Sequence, residues 1–273
     1  MSKHPIQAVV FDWAGTVIDF GSQAPMGAFV ELFKRHGLSI TIAEARVPMG
    51  MPKWHHIQAM GQQPRIAALW EQMHGRPFND LDVDALYEEF TPMNAASVVH
   101  HAQLITGTLD TLAWLAARGI RIGSTTGYNR AIMDVVMPLA AAQGFRPENV
   151  VCADDLPESR PSPMGMRHTM ELLGVTGPRH AVKVDDTVPG LLEGADAGCW
   201  TVAVLASGNA LGLTEAEWQA TDASTRAALR AQARESLAGG HADFFIDTVA
   251  DLPGVIQAIE AREATGVAGA IGH

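Results

Sequence analysis

The sequence predicts an α/β fold in which a doubly wound parallel sheet carries an inserted helical cap domain. Short apolar runs such as IQAVVF and WTVAVL alternate with longer stretches of helical apolar spacing, which is typical of strand–helix–strand units. The alternation is interrupted after the first run, where residues 22–101 show only helical spacing. A chain of 273 residues is long enough for a core domain and a smaller insert.

Six apolar runs are predicted to be the strands, and most of them end in small or acidic residues. They span residues 6–11, 120–124, 150–153, 181–184, 200–205 and 243–246. Helices are predicted between them over residues 107–118, 130–143 and 163–173. In sheets of this kind the ligand lies at the carboxyl ends of the strands. We therefore expect the functional residues to follow the predicted strands.

Residues 22–101 are predicted to form the helical cap domain, and residues 1–21 and 102–273 the α/β core domain. Apolar spacing predicts cap helices over residues 28–36, 42–46, 53–60, 64–74 and 82–96. A second helical stretch, residues 214–237, interrupts the last strands. Thr214 and Glu217 at its start predict a capping box.

Composition excludes several classes of protein. The net charge is −11 and there is no basic block, which argues against nucleic acid as a partner. Two cysteines, Cys152 and Cys199, are too few for a disulfide framework, so a reducing compartment is expected. We find neither a signal peptide nor an apolar run long enough to span a membrane, and we expect a cytoplasmic protein with no membrane partner.

Candidate reactive groups follow the first two strands. Asp12 ends the first apolar run, and a carboxylate there can attack phosphorus to form an acyl phosphate. A turn or helix cap is the usual role of a lone Asp at this place, so the prediction depends on its companions. Thr126 and Gly127 follow the second strand in STTGY and offer a hydroxyl and backbone N–H groups to phosphoryl oxygens.

Charged groups follow two further strands. Arg160, in SRPSP, can neutralise a phosphoryl group or the acids, although alone it would be an ordinary solvated residue. Asp185 and Asp186 follow AVKV, and paired carboxylates are unfavourable there unless a cation binds. With Asp12 they offer hard oxygen ligands suited to Mg²⁺, and we expect only one of the pair to touch it. The alternative is one buried acid and one that faces solvent.

The order of these groups resembles the haloacid dehalogenase superfamily of phosphotransferases. The resemblance covers nearly the whole chain and implies that Asp12 forms an aspartyl-phosphate while Mg²⁺ neutralises the transferring group. Two positions depart from the pattern. Ala14 stands where most phosphatases carry a proton-donating Asp, and Gly190 stands where the fourth motif ends in Asp. One metal-site acid is therefore either absent or moved to Asp185.

The predicted cap contains a candidate amine catalyst in the segment PMGMPKWHH. Its Met, Pro and Trp residues would desolvate Lys53 and lower the pKa of its ammonium group. A neutral amine can form a Schiff base with an aldehyde. A lone Lys is more often solvated, so the prediction depends on these neighbours. His56 lies three residues further on and can shuttle protons, or it is a surface residue of the cap.

Together, DWAGT, Lys53 and GSTTGY resemble the phosphonatase family. That resemblance implies hydrolysis of phosphonoacetaldehyde to acetaldehyde and phosphate, in 2-aminoethylphosphonate degradation, by a homodimer formed through the cap. It implies Lys53 as the Schiff-base lysine and Asp12 as the nucleophile. The implied Mg²⁺ ligands are Asp12, the Ala14 carbonyl and Asp186. The implied substrate-binding and phosphate-binding residues are Met49, His56, Thr126, Gly127, Tyr128 and Arg160.

Two other functions fit parts of the sequence. A phosphate-ester phosphatase or sugar phosphomutase of the same superfamily would explain the strand-end residues, but neither Ala14 nor Lys53 favours it. A non-catalytic binding protein could retain the fold. It would have no need of the complete strand-end set, so this alternative is the more distant one.

Overall fold

The computed structural model describes residues 6–264 and contains a six-stranded sheet in the order β3-β2-β1-β4-β5-β6. The strands are β1 (Ala8–Phe11), β2 (Arg121–Thr125), β3 (Asn149–Val151), β4 (Ala181–Asp185), β5 (Trp200–Val204) and β6 (Phe244–Ile246). Every neighbouring pair is parallel. The predicted parallel sheet is confirmed, and β1 lies where the strand order reverses, between β2 and β4. A ligand site is expected at such a switch point.

Six helices lie between β1 and β2 in the chain, and we call the first five of them the cap helices. They are α1 (Ala24–Arg35), α2 (Ile42–Arg46), α3 (Lys53–Gly61), α4 (Pro64–His74) and α5 (Asp80–Val98). Helix α1 begins before the predicted residue 28 because Pro25 suits a first helical turn. Helix α5 begins before residue 82 because Asn79 and Asp82 form a capping box. The division into domains at residues 22 and 101 stays a prediction.

In the part of the chain that the structure describes, seven further helices follow the cap helices, the first of them before β2. They are α6 (Thr108–Ala117), α7 (Arg130–Gln143), α8 (Met164–Leu172), α9 (Val188–Asp196), α10 (Glu215–Ala220), α11 (Ala223–Ser236) and α12 (Leu252–Ala264). The predicted capping box of Thr214 and Glu217 is present. The helical stretch that it begins is two helices, because the Asp222 side chain accepts the first N–H groups of α11 and so starts a new helix. Within residues 6–264, none of the helices is long and apolar enough to cross a membrane.

The chain leaves the sheet for the cap helices near Asp19 and returns from them near His101, and these two segments lie side by side. The Asp19 N–H group donates to the Gln103 carbonyl at 3.2 Å, and Asp19 Oδ1 lies 3.5 Å from His101 Nδ1. The Asp19 carboxylate also accepts the N–H groups of Gln23 and Ala24, at 3.0 and 2.9 Å, which starts α1. The outgoing and returning segments are therefore tied side by side, and the cap helices lie above the carboxyl end of the sheet.

Candidate active site

A cavity of about 20 Å³, room for roughly one water molecule, lies between the carboxyl ends of the strands and the start of α3. Eight of the residues predicted for the site line it: Asp12, Ala14, Met49, Lys53, Thr126, Gly127, Tyr128 and Arg160. Ser22 and Thr187 also line it. The structure thus brings the strand-end groups together with the lysine of the cap helices. His56 and Asp186 lie outside this lining.

Asp12 directly follows β1 and is 6% exposed. Burial, with a further contribution from the Asp185 carboxylate, raises the pKa of Asp12 to about 6, although Arg160 opposes the change. Arg160 Nη1 lies 2.8 Å from Asp12 Oδ1, so one carboxylate oxygen is held by a cation. At neutral pH the group is mostly ionised, as a nucleophile must be.

Lys53 is the first residue of α3 and is 5% exposed. Its Nζ lies 3.8 Å from Met49 Sδ, 5.2 Å from the Tyr128 ring centroid and 5.8 Å from the Phe29 ring centroid. Burial lowers the pKa of Lys53 to about 8, while Asp12 opposes the change. At pH 7 roughly a tenth of Lys53 is therefore the neutral amine that Schiff-base formation requires, far more than in an ordinary lysine.

His56 is fully buried, so the alternative of a surface histidine is wrong. Its ring stacks on Phe29 with centroids 4.1 Å apart, and Nε2 lies 2.8 Å from the Ala45 carbonyl oxygen. Burial lowers the pKa of His56 well below its ordinary value, so the ring is neutral and Nε2 carries the proton. The predicted proton shuttle stays a prediction, and the geometry gives His56 a packing role inside the cap helices.

Asp12, Asp185 and Asp186 place carboxylate oxygens within 4.8 Å of one another. Asp185 and Asp186 are 0% and 1% exposed, so the alternative in which one faces solvent is wrong. Burial and the neighbouring Asp12 raise the pKa of Asp186 well above its usual range. A buried carboxylate that retains its proton for want of a counter-charge is suited to a cation. The oxygen donors are those that Mg²⁺ prefers, and the site fits it.

Gly15 allows the backbone beside Ala14 to approach these acids. A Cβ atom at Gly15 would lie 2.2 Å from Asp186 Oδ2, and the residue has a φ of 82°. Because only glycine fits there, the turn after Asp12 lies directly against Asp186. Ala14, whose carbonyl was predicted to share a metal with Asp12 and Asp186, directly precedes Gly15 and lines the same cavity as Asp12.

Buried cations face these acids, and the sequence analysis missed one of them. Lys183 lies in β4 with no exposed surface, and its Nζ is 3.2 Å from Asp185 Oδ2 and 3.1 Å from Glu193 Oε2. Arg160 contacts the same two acids, at 3.2 and 3.1 Å. At the strand ends the buried charged groups are the cations Lys53, Arg160 and Lys183 and the acids Asp12, Asp185, Asp186 and Glu193. With the four acids ionised and Lys53 as the neutral amine, this cluster carries two uncompensated negative charges, which a divalent cation would balance.

Two glycines permit the close contact between the cap and the sheet. A Cβ atom at Gly127, in the loop after β2, would lie 3.0 Å from the Gly50 carbonyl oxygen. A Cβ atom at Gly50, in the loop before α3, would lie 2.3 Å from Thr187 Oγ1. Gly50 also has a φ of 89°. The backbone before Lys53 therefore packs directly on the backbone beside Thr126, and both glycines line the cavity.

A second link between cap and core was not predicted. Arg46, at the end of α2, donates to the Gly21 carbonyl at 2.8 Å and to Asn209 Oδ1 at 2.9 Å. The Asn209 N–H group in turn donates to Asp186 Oδ2 at 2.7 Å. A cavity of about 730 Å³ adjoins this link, and Met49 and Thr187 belong to its wall as well as to that of the small cavity.

Comparison with known proteins agrees with this arrangement. Residues 6–198 match the haloacid dehalogenase-like hydrolase family. The chain is 48% identical to the phosphonoacetaldehyde hydrolase of Vibrio cholerae serotype O1 over 269 residues, which cover 97% of this chain and 99% of that protein. It is 45% identical to the phosphonoacetaldehyde hydrolase of Hahella chejuensis over 265 residues, which cover 97% of this chain and 90% of that protein.

Two solved structures extend the comparison. A phosphonoacetaldehyde hydrolase-like protein from Oleispira antarctica superimposes with a TM-score of 0.93 at 41% identity, over 96% of this chain and 95% of that one. A β-phosphoglucomutase from Clostridium difficile gives 0.68 at 16% identity, over 95% and 99% of the two chains, and shares the fold alone. The chain therefore belongs to the haloacid dehalogenase-like hydrolases and, within them, to the family of the phosphonoacetaldehyde hydrolases.

Proposed function

We propose that this enzyme hydrolyses the carbon–phosphorus bond of phosphonoacetaldehyde to acetaldehyde and phosphate, in the degradation of 2-aminoethylphosphonate. The names of its relatives support the substrate. One observation carries the chemistry: the desolvated amine of Lys53 and the carboxylate of Asp12 line the same cavity, and Ala14 lines it without an acid. An amine suits an aldehyde, and the absence of an acid at that position suits a leaving group that is not an alkoxide.

The first step is formation of an iminium ion on Lys53. The neutral amine attacks the aldehyde carbon, and water leaves after proton transfer. Because burial lowers the pKa of Lys53 to about 8, the amine is available near neutral pH. The positive nitrogen, two bonds from the phosphonate carbon, then serves as the electron sink that carbon–phosphorus cleavage requires.

The second step is attack of Asp12 on phosphorus. A bond forms between a carboxylate oxygen and phosphorus, the carbon–phosphorus pair moves toward the iminium nitrogen, and an enamine leaves. Arg160, 2.8 Å from Asp12, supplies positive charge to the phosphoryl oxygens, with Thr126 and Gly127 beside them. Water hydrolyses the aspartyl-phosphate, the enamine gains a proton on carbon, and hydrolysis of the imine frees acetaldehyde and Lys53.

We assign Mg²⁺ to Asp12, the Ala14 carbonyl oxygen and Asp186. When bound, the ion supplies positive charge next to the transferring phosphoryl group. The assignment is supported by the clustered carboxylates and by the close approach that Gly15 permits. Around Lys53, we propose that Met49 and Tyr128 keep the amine dry and shape the aldehyde end of the site.

A phosphate-ester phosphatase or a sugar phosphomutase of the same superfamily is the alternative. Both expel an alkoxide, which needs a proton from a nearby acid. Ala14 lines the cavity at the position where most phosphatases of the superfamily carry that acid. This makes the alternative the weaker one, and assays with phosphate esters test it directly.

The deciding experiment traps the imine. The protein is incubated with phosphonoacetaldehyde and borohydride, and the modified residue is mapped by mass spectrometry. We expect a substrate-dependent adduct on Lys53, and none on Lys34, whose side chain is 74% exposed. Lys53→Arg should abolish release of phosphate and acetaldehyde, and Lys34→Arg should preserve it. Turnover without an adduct would exclude the Schiff base, and an absence of turnover by the metal-loaded wild type would exclude the substrate.

We further propose a homodimer formed through the cap helices. The resemblance to the family supports it, and so does an open groove between α1 and α5 that Gly27, Pro92, Met93 and Ala96 help to line. A Cβ atom at Gly27 would meet nothing within 4 Å, so Gly27→Arg should fold normally and yield a monomer by light scattering. Gly254→Arg, at an equally open helical glycine of α12, is the matched control. A dimeric Gly27→Arg would exclude this face.

A cytoplasmic location is also proposed. Cys152 and Cys199 are both buried free thiols. Burial raises the pKa of each to about 12, so neither is a reactive thiolate. A chain with its cysteines in this form suits a reducing compartment. Fractionation of cells that produce the protein would test the proposal.

A further inference from the structure

Asp185 is a buried acid that the proposed chemistry does not use. Its Oδ1 accepts hydrogen bonds from the N–H group and the hydroxyl of Thr187, at 3.0 and 2.7 Å. Its Oδ2 lies 3.2 Å from Arg160 Nη2 and 3.2 Å from Lys183 Nζ. Asp185 is therefore a shared counter-ion of two buried cations, one of which holds the nucleophile Asp12.

The space that Asp185 occupies depends on Gly190, in the first turn of α9. A Cβ atom at Gly190 would lie 2.0 Å from Asp185 Oδ2 and 2.2 Å from its Cγ, distances at which something must move. The Asp185 carboxylate is not a free end that can swing away, because both of its oxygens are held by the contacts just described. Glycine is an unfavourable residue in a helix, by about 1 kcal/mol relative to alanine. Gly190 is not among the glycines with positive φ, so its backbone conformation does not require glycine. What requires glycine is the lack of room for a side chain beside the Asp185 carboxylate.

Thr187 joins the two residues. Its hydroxyl donates to Asp185 Oδ1 at 2.7 Å and accepts the Gly190 N–H group at 3.3 Å, as the N-cap of α9. The Asp185 carboxylate thus lies against the N-terminal turn of a helix, where negative charge is favoured. Displacing the carboxylate would disturb the cap of α9, the counter-ion of Arg160 and the counter-ion of Lys183 together.

We propose that Asp185 and Gly190 are a coupled pair: Asp185 is the positioning residue that holds Arg160 against Asp12, and the missing side chain of Gly190 is what allows it. The required element is a carboxylate in that volume, whichever residue supplies it. An Asp at position 190 would begin its side chain in the same volume once the Asp185 side chain is removed. The carboxylate should therefore be transferable between the two positions. The activity readouts rest on the proposed function, and the stability readout does not.

Single substitutions test the positioning role. Asp185→Asn keeps the size of the side chain and an acceptor for Thr187 but removes the charge. We expect kcat to fall about 10- to 100-fold, and inorganic phosphate to bind the Mg²⁺-loaded protein more weakly, because Arg160 loses its counter-ion. Gly190→Ala should lower kcat similarly and lower the Tm. Gly254→Ala, at a helical glycine with nothing nearby, should leave kcat unchanged and raise the Tm slightly, because alanine is the better helix former.

Double substitutions test the transfer. Asp185→Gly/Gly190→Ala relieves the overlap, so its Tm should not fall below that of Asp185→Gly, while kcat stays low. Asp185→Gly/Gly190→Asp should recover kcat to within about tenfold of the wild-type value. About tenfold is the smallest loss of activity expected when such a partner is removed. If both double variants fold and are equally inactive, the proposal is overturned. Should the Asp variant not fold, Asp185→Asn decides, and wild-type kcat with wild-type phosphate binding would refute the positioning role.

The stability arm separates this proposal from the proposed function. Urea unfolding of the metal-free protein compares Gly190→Ala in the wild-type chain and in Asp185→Gly. We expect Gly190→Ala to lower the unfolding midpoint only when Asp185 is present. Equal effects in both backgrounds would refute the coupling whatever the substrate. If the coupling is found but phosphonoacetaldehyde is not hydrolysed, the substrate is wrong and the pair stands.

Discussion

Replacing Lys53 by Met should make the protein more stable while abolishing carbon–phosphorus cleavage. The lysine amine is buried beside Met49 and the rings of Phe29 and Tyr128. Methionine is also unbranched, and it fills an apolar site of this shape without a charge. Lys53→Met therefore removes an ammonium group that the folded protein desolvates, and it leaves most of the packing in place.

The size of the gain follows from the pKa of Lys53. Burial lowers this pKa from 10.5 to about 8. Because the folded chain binds the proton more weakly than the unfolded chain, the lysine destabilises the fold by about 3 kcal/mol wherever both are protonated. That penalty is complete below the folded pKa, declines as the pH rises from about 8 to 10.5, and is absent above it. Lys53→Met should gain up to this amount at neutral pH and almost nothing near pH 10.5.

Urea unfolding of the metal-free proteins at neutral pH and at about pH 10 measures the gain. Lys34→Met is the control, since the Lys34 side chain is 74% exposed and its removal should change stability little at either pH. A Lys53→Met protein that is less stable than the wild type at neutral pH would refute the reasoning. So would a gain of the same size at both pH values, because the effect would then come from packing and not from the buried charge.

Three further predictions concern the metal, the cap and the histidine. Because the pKa of Asp12 is raised to about 6, Mg²⁺ must displace a proton at lower pH. Because the pKa of Asp186 is raised as well, calorimetry should show Mg²⁺ binding that weakens as the pH falls, with Asp12 adding to the loss below about pH 6. Arg46→Met, which removes a link from cap to core, should raise KM more than it lowers kcat in steady-state assays. His56→Phe should keep the stack on Phe29 but leave the Ala45 carbonyl unpaired, lowering the unfolding free energy by about 1–3 kcal/mol. Unchanged kcat in that variant would exclude the proton shuttle.

The sheet was predictable because its central strands β1, β4 and β5 are buried on both faces. All six apolar runs overlap an observed strand, since side chains with no polar face leave few other arrangements. Helix ends were less accurate, and α5 begins two residues before the predicted position because its capping box starts at Asn79. The helical stretch after residue 214 was not predicted to break, although Asp222 with Ser224 and Thr225 is a recognisable cap.

The residues of the site also differ in how far the sequence could predict them. Groups at strand ends were predictable because parallel strands bring their carboxyl ends to one edge, and Asp12, Thr126 and Arg160 line one cavity. Lys183 was missed because it was read as part of an apolar strand, although a lysine inside AVKV was a signal of a buried counter-ion. The contact between Asp185 and Gly190 was not predictable, because it depends on how close the Asp185 carboxylate lies to the Gly190 backbone in the folded chain.

The cavity that Lys53 lines has room for about one water molecule, so the cap helices must move away before an aldehyde fits beside the amine. Once they do, water reaches the side chain, and its pKa rises toward the 10.5 of an ordinary lysine. An exposed Lys53 is then almost wholly ammonium and inert toward passing aldehydes. Only a molecule small enough for the helices to close over it meets the free amine. In the proposed mechanism, Lys53 is a neutral, reactive amine only while the cap helices are closed over a bound molecule. Selectivity among the aldehydes of a cell would then come from which of them the closed site can hold.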